Sequence, residues 1–122
     1  MKAFLLVGLG GFAGSYLRYL LSLRIQQLFP AYAFPLGTFA VNIAGSFLIG
    51  LLFGLGQRHI IGHELRMLLA TGFCGGFTTF ATFSMEGVLL AEQGQVPTLL
   101  LYTAASLLAG FTAAWLGWTI TR

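Results

Sequence analysis

GFCGGFTTFATFS, Gly72–Ser84, sets three glycines, four phenylalanines, three threonines and a serine in the middle of a run otherwise apolar enough to cross a membrane. A lipid-exposed break in a helix leaves N–H and C=O groups with no water to bond, so irregular backbone at that depth must be enclosed by protein or face a polar cavity. Gly75-Gly76 followed by Thr78-Thr79 therefore predicts backbone unwound inside protein, around something polar or ionic. The fold class follows: an all-α integral membrane protein whose third span is broken in mid-membrane.

The rest of the chain supports that reading. Of 122 residues, 57% are hydrophobic and 7% charged, whereas a soluble domain carries about 25% charged residues. So few charges cannot cover a water-facing surface. Six basic residues against three acidic ones are too few for a nucleic-acid patch, and no nucleic-acid partner is expected. The single cysteine, Cys74, excludes an intrachain disulfide and a thiolate metal cluster. The apolar segment from Ala3 is too long for the core of a cleaved signal peptide.

A spanning helix takes roughly 20 mostly apolar residues, and residues 1–122 divide into one membrane domain with spans at about 3–23, 37–56, 67–91 and 97–120. The links between them are short and polar. Four spans put both termini on one side, together with Lys2, Arg58, Arg66 and Arg122; Arg24 and Arg18 belong to the other. The positive-inside rule favours cytoplasmic termini, but by a margin small enough to leave both insertions open.

Small and polar residues form a stripe on three spans. Gly11, Gly14 and Arg18 share a face of the first, Thr38, Asn42, Ser46 and Gly50 of the second, and Tyr102, Ser106 and Gly110 of the fourth. Tight helix packing explains many such glycines, including Gly10-xxx-Gly14 and Gly50-xxx-Gly54. It explains Asn42 less well, because a mid-span amide needs a polar partner.

In the third span, Phe77, Phe80 and Phe83 recur every three residues, bringing Phe80 and Phe83 together on one face with Glu86 one turn on. Core packing is the ordinary explanation of such a stripe, but this one follows a Gly-Gly pair and runs among hydroxyls. An aromatic face attracts cations, while the ring edge is positive and suits an anion. Asn42 can donate two N–H bonds and the serine and threonine hydroxyls can turn to donate. Arg18, permanently charged, would raise anion concentration near the end of its span. The inventory favours an anion route. Glu86, the acidic residue within a span, reads otherwise as a carboxylate near the interface or paired with a cation. His59 and His63 have no third ligand beside them, so a metal site in that link is not expected.

GGFAGSYLRY (Gly10–Tyr19), GTFAVNIAGSFLIG (Gly37–Gly50) and GFCGGFTTFATFS, in that order along a four-span chain of this length, resemble the Fluc/CrcB family of microbial fluoride channels. The resemblance implies an antiparallel, dual-topology homodimer in the cytoplasmic (inner) membrane, surrounded by lipid, with two fluoride pathways. By the same resemblance Asn42, Phe80 and Phe83 line the ion path, and Thr38, Thr79, Thr82, Tyr102 and Ser106 complete its polar wall. Glu86 and Arg18 would stand at a pathway end or vestibule. A structural, untransported Na+ at the dimer interface would be held by the backbone carbonyls of Gly75 and Thr78 and their counterparts in the second copy. Three positions depart from the common pattern: Ala81 and Ser15 replace a serine and an alanine, and Gly110 replaces a further hydroxyl.

The function this implies is passive, selective fluoride export that protects the cell from fluoride. A proton-coupled exporter of the small multidrug-resistance type is the main rival, but such exporters centre on a carboxylate in the first span, where this chain carries Arg18. A packing subunit without transport activity is a second. Enzymatic activity is not expected, because no nucleophile–base pair and no metal-ligand cluster lies in the spans.

Overall fold

The computed structural model describes all residues from Met1 to Arg122, and every regular element in it is helical. The first helix is Lys2–Leu28, the second Leu36–Gln57 and the fourth Val96–Thr121. A composite third span, His63–Glu92, lies between the second and fourth. All four are long and apolar enough to cross a membrane. The first helix continues past Leu23 to Leu28 and stops before Pro30, a residue that cannot donate to a helical ladder. Pro35 precedes the second helix, and Pro97 sits in the first turn of the fourth, where its missing N–H has no partner to lose. The turn between the third and fourth spans uses Gly94 at φ 72°, a left-handed conformation that glycine adopts without strain.

The third span changes character along its length. A helical turn, His63–Arg66, leads into a π-helical stretch, Met67–Cys74, then one more α turn, Gly75–Phe77. The helix Phe80–Glu92 completes it. Wide π-helical turns inside a helix are rare and concentrate at functional sites.

Two packings organise the molecule: the second helix lies along the fourth, and the first lies along the N-terminal half of the third span. Glycines set both distances. A Cβ on Gly14 would overlap the Phe73 carbonyl oxygen and come within 2.9 Å of the Phe77 nitrogen; one on Gly50 would overlap the Ala114 carbonyl. Backbone-to-backbone contact of this kind is how membrane helices associate when lipid supplies no hydrophobic drive between them. The exterior is correspondingly apolar, with Phe4, Phe12, Leu108, Phe111 and Ile120 all exposed.

One end gathers charge. Lys2 pairs with Glu64, the Arg66 guanidinium lies 5.8 Å from the Phe53 ring centroid, and that of Arg122 lies 4.5 Å from Trp118. The Trp118 indole N–H donates to Gln57 at 2.7 Å. These aromatic and basic side chains suit a membrane–water boundary.

Candidate functional site

The backbone is extended at Thr78 (φ −90°, ψ 154°) and Thr79 (φ −150°, ψ 119°), which separates Gly75–Phe77 from Phe80–Glu92. Gly75 and Gly76, expected to be part of the unwound stretch, stay helical; the chain leaves the helix at the threonines that follow. The physical reason lies in what the neighbours offer. Asn42 of the second helix accepts the Thr79 N–H on Oδ1 at 2.8 Å and donates from Nδ2 to the Thr79 carbonyl at 3.2 Å. One amide thus replaces both of the helical bonds that Thr79 forgoes.

The remaining groups at the interruption can be accounted for individually. Thr78 donates its N–H (3.0 Å) and its hydroxyl (2.9 Å) to the Cys74 carbonyl. Thr79 Oγ1 accepts the Thr82 N–H at 3.2 Å, capping the second half of the span, and lies 3.2 Å from the Thr82 hydroxyl. Arg18 of the first helix donates from Nε to the Gly76 carbonyl at 2.9 Å. The carbonyls of Gly75, Phe77 and Thr78 receive no hydrogen bond from within the chain.

A groove of about 420 Å³ runs past this interruption. Asn42 and Ser46 line it from the second helix, Gly75, Thr78, Thr79, Phe80 and Phe83 from the third span, and Ser106 from the fourth. Phe80 projects outward and is 79% exposed, so one wall of the groove is open at this ring.

Beyond the groove the rings continue as a chain. Phe80 and Phe83 lie 5.8 Å apart between centroids, and Phe83 lies 5.0 Å from Tyr102. The Tyr102 side chain is fully buried, and its hydroxyl donates to Glu86 Oε2 at 3.0 Å. The buried Thr38 hydroxyl donates to Glu86 Oε1 at 2.6 Å. Each carboxylate oxygen therefore has its own donor, from the second and the fourth helix.

Residues 5–118 match the family described as "CrcB-like protein, Camphor Resistance (CrcB)". The chain belongs to the CrcB family. A relative in Chlorobium luteolum, named fluoride-specific ion channel FluC, is 49% identical over 114 residues, covering 93% of this chain and 87% of the relative. A protein of the same name in Phocaeicola vulgatus is 45% identical over 96% of each chain. Another, in Chlorobaculum tepidum, is 46% identical over the whole of this chain and 96% of its own. With four membrane-spanning helices and channel relatives, this CrcB member is a multi-pass membrane protein.

The residues singled out from sequence fall into three groups in this CrcB chain. Asn42, Thr79, Phe80, Phe83 and Ser106 meet in the groove with Gly75 and Thr78. Thr38, Tyr102 and Glu86 form the carboxylate cluster, joined to the groove through Phe83. Thr82 bonds to Thr79 in the cap. Arg18 stands apart, bonded to backbone on the first-helix side of the third span rather than free at a helix end. Glu86 is neither paired with a cation nor loose at the interface; two hydroxyls hold it. Sequence reasoning placed Thr38 and Tyr102 in one polar wall and Glu86 at a pathway end, without joining the carboxylate to the two hydroxyls, since the three lie on three helices. It also left Ser46 in the polar stripe without placing it at the site, although four-residue spacing from Asn42 put it on the same face.

Proposed function

We propose that this chain is a fluoride-selective channel of the cytoplasmic membrane, through which fluoride leaves the cell down its electrochemical gradient. Channel relatives make it a transporter and not an enzyme. The observation that carries the reading is the Phe80–Phe83 pair, set between the donor-lined groove and the Tyr102–Glu86 cluster, in a chain 49% identical to a protein named for fluoride.

The chemistry is that of a small anion that holds water tightly. Fluoride enters cells as neutral HF in acidic surroundings, dissociates in the cytoplasm, and is then trapped, because an unpaired charge in lipid is very costly. A path for it must replace lost water with donors while binding weakly enough to let go. Asn42, with its second amide N–H, and the hydroxyls of Thr79, Thr82 and Ser106 are such donors. The positive ring edges of Phe80 and Phe83 carry the anion between donor sets, and Tyr102 and Thr38 stand at the end of the track with Glu86.

The functional unit is an antiparallel homodimer. The weak charge bias permits both insertions, and the groove wall that is open at Phe80 is where a second copy completes the path. A structural sodium ion belongs at that interface. The free carbonyls of Gly75 and Thr78, both on the groove, are hard oxygen ligands of the kind such an ion takes, and a Cβ on Gly75 would meet nothing within 4 Å. When bound, the ion would offset the dipoles of carbonyls that the interrupted span leaves without donors.

The test is fluoride-electrode recording of efflux from proteoliposomes containing the purified protein, with chloride as competitor and pH varied. Fluoride should leave rapidly, chloride should stay at the protein-free rate, and an imposed proton gradient should not drive fluoride uphill. Equal chloride flux would overturn the selectivity, and uphill transport coupled to protons would overturn the channel reading.

A further inference from the structure

The carbonyls at the interruption are not all alike. Cys74 is doubly bonded by Thr78, Thr79 is bonded by Asn42, and Gly76 is bonded by Arg18 at 2.9 Å, which leaves Gly75, Phe77 and Thr78 without donors, Gly75 and Thr78 being the two of these on the groove. Gly76 can be reached from the first helix because it carries no side chain: a Cβ there would fall within 2.8 Å of Ser15 Oγ and 3.1 Å of the Ser15 nitrogen. Arg18 lies three residues beyond Ser15, so its stem runs along this contact and its Nε arrives at the Gly76 oxygen. The interruption is thus pinned from two sides, by Asn42 of the second helix and Arg18 of the first.

We propose that Arg18 is a positioning residue for the cation site. By holding the Gly76 carbonyl it keeps that oxygen out of the ligand set and fixes the orientation of the adjoining Gly75 carbonyl, and so sets which monovalent cation fits. The inference rests on the sodium site proposed above. Its physical basis is that discrimination among alkali ions depends on the number of carbonyl dipoles and on how firmly they are held. Loss of the Arg18 charge by itself would alter the affinity for every monovalent cation alike, whereas loss of the clamp alters their ratio.

The ratio is therefore the readout. Purified dimer in detergent is titrated with NaCl, LiCl or KCl at constant ionic strength, made up with N-methylglucamine chloride, and the thermal unfolding midpoint is followed. Wild-type protein should be stabilised at lower Na+ than Li+ or K+. Arg18→Gln should lower the K+/Na+ ratio of half-saturating concentrations at least about fivefold, the lower end of a typical coupling between two sites, as a rigid carbonyl set loosens. Arg18→Lys, which keeps the charge but not the planar donor, should lower it by a smaller factor and serves alone if the glutamine variant does not fold. A wild-type ratio in the variants that fold, whatever happens to absolute affinity, overturns the proposal for Arg18. If wild-type protein shows no difference between sodium and N-methylglucamine, the sodium site itself fails and the Arg18 role falls with it.

Discussion

Asn42 commits both ends of its amide to one residue, and this explains why an expensive polar side chain stands in the middle of an apolar helix. Thr79 sits where neither its N–H nor its C=O has a helical partner, and Asn42 supplies both. Asn42→Ala leaves two backbone groups unsatisfied at a cost of about 1–3 kcal/mol each. Fluoride efflux from proteoliposomes should then fall at least about tenfold, the factor that about 1.4 kcal/mol added to the barrier along the path produces. Efflux at the wild-type rate would remove Asn42 from the path. The rings call for a different substitution. Phe80→Ile and Phe83→Ile keep apolar bulk but remove the polarised edge, so each should reduce fluoride efflux without lowering the amount of folded protein recovered by size-exclusion chromatography.

The third span owes its shape to neighbours on both sides. Its first half is held against the first helix by glycine contacts; its second half begins at a cap made by Thr79 itself. Thr79→Val deletes the capping oxygen and should destabilise the fold by about 1 kcal/mol, with Thr79→Ser restoring it; denaturant titration in mixed micelles measures the difference. The second and fourth helices depend on Gly50 in the same way. Its replacement by leucine drives a side chain into the Ala114 carbonyl, and overpacking of this kind costs about 1–3 kcal/mol or more. Little folded protein should be recovered from Gly50→Leu, while Gly75→Ala, whose Cβ meets nothing within 4 Å in a single copy, should leave the monomer fold intact.

For the proposed antiparallel dimer, orientation decides activity. Lys2, Arg58, Arg66 and Arg122 lie on the side of the termini, against Arg24 on the other, Arg18 being held at the interruption, a bias that additional charge should strengthen. Adding lysines in the middle link, at exposed Ile60 and at Gly62 where a Cβ meets nothing within 4 Å, should commit the chain to cytoplasmic termini. On the proposed dual topology, an N-terminal tag is labelled from both faces of the membrane in the parent and from one face in this variant. Fluoride resistance should drop, and a co-expressed copy biased the other way should restore it. Resistance unaffected by a single fixed orientation would contradict the antiparallel dimer.

Much of this protein is legible in one dimension. Four apolar runs separated by short polar links dictate four spanning helices, because hydrocarbon admits few other structures. The polar stripes were readable too: residues four apart on a helix must share a face, which put Thr38, Asn42 and Ser46 together before any tertiary contact was known. Phe80 and Phe83 were paired by the same periodicity. What periodicity within one helix does not carry is the angle between helices, and three features depend on that. The chain departs from helix at Thr78 and Thr79 and not at the more permissive glycines, because Asn42 is placed to satisfy Thr79 and Arg18 to hold Gly76. Glu86 is held by hydroxyls from the second and fourth helices, the pair with the most extensive contact. The π-helical turns of Met67–Cys74 lie where Gly10 and Gly14 bring the first helix onto the third span, backbone to backbone. Local chemistry set the helices and their faces; the meeting of those faces decided which polar groups are satisfied within the chain and which carbonyls on the groove, those of Gly75 and Thr78, are left for something else.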